Sequence, residues 1–371
     1  MRAARVLACC CLLVASAIRT CNGLQPSQDN DEERLVGWRG ELPPDDPAEI
    51  EAAEDILRIV PMREGPKDPN EPWVQVLSWS PRAFVYHNFL SRPEVAHILK
   101  LAAPQMKRST VVGPNNSGVV DNIRTSAGTF LMRNQDPIIS AVEERLATWV
   151  HLPRSHQEDM QVLRYSEGNK YGAHLDGLGR VMSILIYLIA PEEGGETAFP
   201  HASAWVNPEA GEPRQGNFSE CAKGHVAYKP KMGDALMFYD RTVDYLSMDA
   251  ASMHTGCPVV KGVKWNAVKW IHGEPFRGEA YEESLTKKSA PLPDPGLCVD
   301  QHESCGLWAE AGECENNPGF MRGNANGAGA CTKSCKDCEP CDEGDWDCYN
   351  KNRERLGFMN LDKVEFQGLF G

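Results

Sequence analysis

The chain has 371 residues, with 38 Lys and Arg against 52 Asp and Glu and a formal net charge of −14. That balance lacks the basic footprint a nucleic-acid binder needs, and no apolar run reaches the roughly 18 residues of a transmembrane helix. Contents of 42% hydrophobic and 24% charged residues suit a globular protein with a sizeable core, but the 14 unevenly placed cysteines need a separate explanation.

Residues 1–23 read as a signal peptide. Arg2 and Arg5 precede an unbroken stretch of small and apolar residues from Val6 to Ile18. As a helix those 13 positions would span roughly 20 Å, short of the ~30 Å hydrocarbon core of a bilayer. An uncleaved short anchor is the competing reading, and only that reading gives the chain a membrane partner. Ala15-Ser16-Ala17 offers one cleavage site, whereas a cut after Gly23 leaves an even ten cysteines. Residues 24–72 form an acidic, proline-rich linker. From Asp29 to Pro72 there are 14 acidic residues, 5 basic residues and seven prolines. Apart from a short helix around Glu49–Val60, this stretch has too little apolar surface to offset the entropy of ordering.

The pattern changes at Trp73. Trp73–Trp79 alternates like a strand, and Ser91 caps a helix whose Val95, Ile98, Leu99 and Ala102 recur at helical spacing. A second helix follows Asn134, with Ile138, Ile139, Val142, Leu146 and Trp149 on one face. Strand-like runs follow at Met160–Tyr165, Val181–Leu188, Ala235–Tyr239 and Val263–Ile271. Helices followed by many short strands with Gly and Pro turns predict a mainly β fold with flanking helices, as an antiparallel sandwich or barrel. This domain spans 73–275. A linker at 276–297 contains the PLPDP of Pro291–Pro295. A small disulfide-rich C-terminal domain at 298–338 follows, with six cysteines in 41 residues and few aliphatics, so it needs staples rather than a hydrophobic core. The acidic tail, 339–371, carries 8 acidic and 4 basic residues.

The chemistry centres on His174-Leu175-Asp176. Two residues apart on an extended strand, both side chains point to one face and can serve one ion. His254 is the best third ligand. Two imidazoles and a carboxylate make the facial triad of non-haem Fe(II) oxygenases, which leaves three coordination positions open. An HxD motif alone is weak, and His151, His156, His201 and His225 read as ordinary surface or core histidines. Lys264 lies ten residues after His254, and pairing of neighbouring strands can return it toward the metal. A buried cation there needs an anion, and the distal carboxylate of 2-oxoglutarate is a natural one. Lys261 and Lys269 read as solvated strand lysines. Cys221 and Cys257 are the only cysteines of this domain, and in an oxidising compartment they pair and fasten its C-terminal part.

Several ordered segments carry a family resemblance. QVLRYSEGNKYGAHLD, RVMSILIYL, GGETAFP, KPKMGDALMFYD and SMHTGCPVVKGVKWNAVKWIH, with IRTSAGTFL upstream, resemble the 2-oxoglutarate/Fe(II)-dependent prolyl 4-hydroxylases of plants and algae. The resemblance implies a double-stranded β-helix, or jelly roll. It implies a dioxygenase of the procollagen-proline type that hydroxylates peptidyl proline at C4. The products are trans-4-hydroxyproline, succinate and CO2, and the cofactors are Fe(II), 2-oxoglutarate, O2 and L-ascorbate. His174, Asp176 and His254 match the iron ligands. Lys264 matches the lysine on the cosubstrate carboxylate and Tyr165 a tyrosine that helps hold it, while Thr197 is placed to add another hydroxyl. Asp176, unlike a small residue, favours hydroxylation over halogenation. Only Gly177–Gly179 separate Asp176 from Arg180, where family members often carry an aromatic residue and a longer insert. One wall of the peptide groove is therefore expected to be short, with Arg124 and Arg180 lining it.

Cys298–Cys338, with Trp308-Ala309, Gly312-Glu313-Cys314 and Asn317-Pro318, resembles the ShK toxin-like (ShKT) module. Six cysteines alone allow 15 pairings. The resemblance selects Cys298–Cys338, Cys305–Cys331 and Cys314–Cys335, which leaves Cys341–Cys348 as a local pair. A zinc site in CTKSCKDC is the alternative. Phe320 and Met321 stand where channel-blocking members carry Lys-Tyr, so the module reads as an accessory for substrate or partner binding. Asn115 and Asn217 are glycosylation sequons. The expected setting is the secretory pathway: the endoplasmic reticulum, in its lumen or anchored to its membrane, with the Golgi or secretion beyond. The expected partner is a proline-rich peptide or protein. Two other readings stay open. One is a hydroxylase on the same scaffold acting on lysine or a small molecule, and the lysyl enzymes' use of arginine counts against it. The other is a secreted ShKT binding protein with an inactive barrel.

Overall fold

Runs rich in β-branched and aromatic residues make strands the dominant element between Trp73 and His272. The computed structural model describes residues 68, 70–109, 111–112, 118–119, 125–287, 294–324, 327–362 and 365. The signal peptide (1–23), nearly all of the linker (24–72) with its Glu49–Val60 helix, Asn115 and Arg124 lie outside the described residues. The strands are β1 (Trp73–Trp79), β2 (Arg82–His87), β3 (Lys107–Arg108), β4 (Val111–Val112), β5 (Gly118–Val119), β6 (Ala127–Leu131), β7 (Met160–Tyr165) and β8 (Tyr171–His174). They continue as β9 (Arg180–Ile189), β10 (Glu193–Gly194), β11 (Thr197–Phe199), β12 (Val226–Tyr228), β13 (Ala235–Tyr239), β14 (His254–Gly256), β15 (Val259–Lys261) and β16 (Lys264–His272).

One antiparallel sheet takes the order β1-β2-β13-β9-β16-β7-β6-β3, and a smaller one takes β12-β11-β14-β8. From β7 to β16 the chain passes repeatedly from the large sheet to the small one and back, which is the winding of a double-stranded β-helix. Two helices, α1 (Arg92–Ala102) and α2 (Pro137–Val150), are amphipathic. Their Val95, Ile98, Leu99, Ile139, Val142 and Leu146 join Trp265, Ala267 and Ile271 of β16 in one apolar cluster. Asp136 caps α2, accepting from the backbone N–H groups of Ile138 and Ile139. The alternate residues of β16 face the small sheet. With a layer on each side, eight of its nine residues are buried. That burial corrects the expectation for Lys269, which is fully enclosed and paired with Glu143 at 2.9 Å rather than solvated. Lys261 is exposed, beside Glu192.

Five disulfides join Cys221–Cys257, Cys298–Cys338, Cys305–Cys331, Cys314–Cys335 and Cys341–Cys348. These pairs coincide with those set out above. The cysteine-rich segment folds as short helices and one hairpin, with Cys305, Cys314, Cys331, Cys335 and Met321 at its centre. Beyond it, the stretch expected as an acidic tail holds a helix, Trp346–Arg355, and Leu361 enters the apolar cluster beside α1 and α2. Among the described residues no helix is long and apolar enough to cross a membrane.

Candidate metal centre and active site

The inner faces of the two sheets converge on a small cavity that opens to solvent. His174 comes from the end of β8, and His254 opens β14, the strand paired with it. The two are direct cross-strand partners. Asp176 lies past the end of β8, a difference from the single extended strand expected above. The chain turns there, with Leu178 and Gly179 at φ +62° and +83°. Among the described residues, one group of His, Cys, Asp or Glu side chains brings three ligand atoms within 4.8 Å of one another, and it is His174, Asp176 and His254. His151, His156, His201 and His225 do not join it.

Each ligand is held from behind. His174 Nδ1 donates to Gly172 O at 2.8 Å and His254 Nδ1 to Ser252 O at 3.1 Å. That tautomer turns each Nε2 lone pair to the centre. Burial against Phe238 pushes the His254 imidazole below its ordinary value despite Asp176, which favours the neutral form a metal requires. Ser183 Oγ and Trp270 Nε1 donate to Asp176 Oδ2 at 2.6 and 2.8 Å. Burial alone would raise the Asp176 carboxyl. His254, His174, the Ser183 hydroxyl and Arg180 together outweigh it and leave the carboxyl below its usual range. Ser183 Oγ also lies 3.0 Å from Asp240 Oδ2, and one hydroxyl proton cannot serve both carboxyls. Burial, then Asp176, hold Asp240 well above the carboxylate range. Asp240 is thus an acid able to donate to Ser183 while Ser183 donates to Asp176. The donor set, two imidazoles and one carboxylate beside an open cavity, fits a divalent iron.

Lys264 reaches this cavity from the large sheet, facing the triad across the sandwich. This corrects the expected route through a neighbouring strand. It is the first residue of β16 and pairs with Tyr165, the last of β7. Its Nζ donates to Gly195 O at 2.7 Å and lies between the rings of Tyr165 and Tyr187. Gly195 sits at φ +70°, and a Cβ there would press 3.3 Å from Lys264 Cδ. Burial pushes the Lys264 ammonium down to about 8, with Glu196 pulling the other way. Tyr187 donates to Thr197 Oγ1 at 3.0 Å, so the Thr197 proton is left to donate elsewhere. Tyr165 and Thr197 both line the cavity.

Arg180 stands beside Asp176, with NH1 3.8 Å from Oδ1. Glu158 fixes its guanidinium over the Trp270 ring, 3.7 Å from the centroid, and His272 closes on the same carboxylate at 2.8 Å. Sequence reasoning missed Ser183, Trp270, Asp240 and Glu158. Trp270 had a signal: it lies six residues after Lys264, an even spacing that puts it on the same face of one strand. Ser183 and Asp240 had none, because only the packing of β9 against β13 brings them to Asp176.

Residues 160–272 match the family model of the 2OG-Fe(II) oxygenase superfamily. The chain is 41% identical over 280 residues to Prolyl 4-hydroxylase 2 of Arabidopsis thaliana, covering 72% of this chain and 89% of that one. It is 40% identical over 235 residues to Prolyl 4-hydroxylase 5 of the same plant, covering 60% and 79%. Among solved structures it is similar to the 2OG complex of the viral collagen prolyl hydroxylase from Paramecium Bursaria Chlorella virus-1. The TM-score is 0.38 and the identity 24%, over 51% of this chain and 94% of that one.

Proposed function

The chain belongs to the prolyl 4-hydroxylases of the 2OG-Fe(II) oxygenase superfamily, and on that premise we propose a working site in which His174, Asp176 and His254 hold the iron and Lys264 holds the cosubstrate. One observation carries this reading: a buried lysine and a His-Asp-His cluster, with Asp176 and His254 buried and His174 partly so, line one cavity. When bound, iron and 2-oxoglutarate supply the oxidising chemistry, in which O2 and 2-oxoglutarate become succinate, CO2 and the oxygen placed on proline C4.

The residues of the chain bind and orient. The Lys264 ammonium takes the distal carboxylate of 2-oxoglutarate, and its burial strengthens that pair by excluding water. Tyr165 and Thr197 add hydroxyl donors along the same carboxylate. Trp270 and Ser183 occupy Asp176 Oδ2, and Oδ1, 3.7 Å from His174 Nε2, is the oxygen that would hold the metal. Arg180, braced by Glu158, is positioned to meet a peptide carbonyl. Arg124 is proposed, from the sequence alone, as a second arginine of the groove.

The substrate in this reading is an extended proline-rich segment of a secretory protein, because a polyproline II stretch loses little entropy on entering a groove. Its hydroxyproline is the trans-4 isomer, and ascorbate restores the iron. Five disulfides indicate an oxidising secretory compartment, and the endoplasmic reticulum is the proposed station. Cys298–Cys338 is proposed to be a ShKT module that recruits substrate. The test is succinate release from 2-oxoglutarate with proline-rich peptides, for wild type and His254→Ala. Proline-dependent release that disappears in the variant supports the reading. Absence of such turnover in iron-loaded wild type would sink it. Collagen-like peptides in place of polyproline sort the substrate class.

A further inference from the structure

The chain beyond the cysteine-rich module returns to the catalytic sandwich and travels along its outer face. The path is set by specific contacts. Arg353, fully buried, donates to the carbonyls of Ala103, Pro104 and Met359 at 3.2, 2.8 and 2.7 Å. The Met359 N–H donates to Met106 O at 2.8 Å. Asn350 exchanges two hydrogen bonds with the Leu361 backbone. The last described residue is Glu365. Its carboxylate accepts from Arg164 Nε at 2.9 Å and a second time from the same guanidinium, and from Trp265 Nε1 at 3.2 Å. Side-chain exposure is only 15% for Arg164 and 8% for Glu365, so this is a shielded ion pair rather than a surface one.

The place of that contact matters. Arg164 and Trp265 are opposite each other across β7 and β16. The next pair in the ladder is Tyr165 and Lys264, whose side chains point the other way, into the cavity. Tyr165 ends β7 and Lys264 begins β16, so the pair that faces the cosubstrate is the last of the ladder, with strand pairing on one side of it only. Glu365 ties the two strands together one step inward, on the opposite face.

We infer that Glu365 is a positioning residue for the cosubstrate. From some 200 residues downstream of Arg164 it clamps the end of the β7–β16 ladder and so holds Lys264 and Tyr165 in register. The inference rests on the role given to Lys264 and Tyr165 above, and it gives the last segment of the chain a part in 2-oxoglutarate affinity.

The test uses the full-length chain and Glu365→Gln, which keeps the shape and removes the charge. Glu365→Gln is expected to raise KM for 2-oxoglutarate about tenfold, the low end of what losing an outer support of a ligand-holding group costs. kcat and the peptide KM stay at the wild-type value. Arg164→Gln gives the same shift, and the double variant adds nothing to it. Hydrogen exchange of metal-free protein is the second readout: amides of 160–165 and 264–266 exchange faster in Glu365→Gln, while those of α1 and α2 do not. An unchanged 2-oxoglutarate KM overturns the inference. So does a KM rise matched by equal losses in kcat, peptide KM and melting temperature, which is a purely structural effect. Lys264→Ala separates the two levels, because a Lys264 variant with normal 2-oxoglutarate KM defeats the underlying reading and leaves the exchange result to judge the clamp.

Discussion

The catalytic sandwich and the cysteine-rich module are held together by different physics. β16 buries eight of nine residues between two apolar layers. The module's centre consists of four cysteines and Met321. In the sandwich, apolar burial is large enough to carry buried polar groups: Lys269, Glu143, Asp234, Asp240 and Glu196 are all enclosed. In the module no such surplus exists, and cross-links replace it. A chain can afford an ionised site only where the apolar core around it is thick.

Five measurements would break or sharpen that contrast. The largest expected effect is at Lys269. Lys269→Met leaves Glu143 buried without its partner, at a cost of about 3–5 kcal/mol in denaturant unfolding. Adding Glu143→Leu should recover most of it, and a failure to recover would mean that the pair contributes more than it costs to bury. Next come the staples. Replacing Cys305 and Cys331 with alanine should cost the module about 2–5 kcal/mol, enough to lose its fold by NMR or proteolysis while kcat of the sandwich holds. A parallel fall in kcat would show that the two regions are not separately stabilised.

Effects on chemistry are smaller in energy. Lys264→Ala should raise the 2-oxoglutarate KM by about 100-fold, the cost of stranding a buried carboxylate. The same residue predicts a pH dependence. Its ammonium titrates at about 8, below its ordinary value. The protonated form binds the anion, so affinity is complete well below that pH and is lost as pH rises through it. KM for 2-oxoglutarate should then climb about tenfold per unit above pH 8, while a flat profile to pH 9.5 would contradict the assignment. The smallest effect is behind Asp176. Ser183→Ala should weaken Co(II) binding about tenfold, whereas Asp240→Asn, which keeps a donor facing Ser183, should change it by less than about threefold.

Much of the site was legible from residue order. His174, Asp176, His254 and Lys264 stand out because ligand chemistry restricts residue types and the strand repeat restricts spacing. Their supports were harder to read: Trp270 shares only its strand face with Lys264, and Ser183 and Asp240 act only through packing between strands. Lys269 was misread for a related reason: alternation marks a solvated face only when one face of a strand meets water, and β16 meets none. The acidic excess of the final segment carries no sign of where it packs: Arg353 and Leu361 are buried and Glu365 reaches Arg164.

By itself the sequence determined the strand-rich class, the candidate His-Asp-His set and the cysteine density of the stapled segment. These follow from local periodicity, ligand type and cysteine density, which need no partner to be read. Only the tertiary structure decided which lysine is sheltered, how Asp176 is held past the end of its strand, and that Glu365 reaches Arg164 and Trp265. Those outcomes depend on which surfaces meet, and burial is a property of the pair rather than of either segment alone.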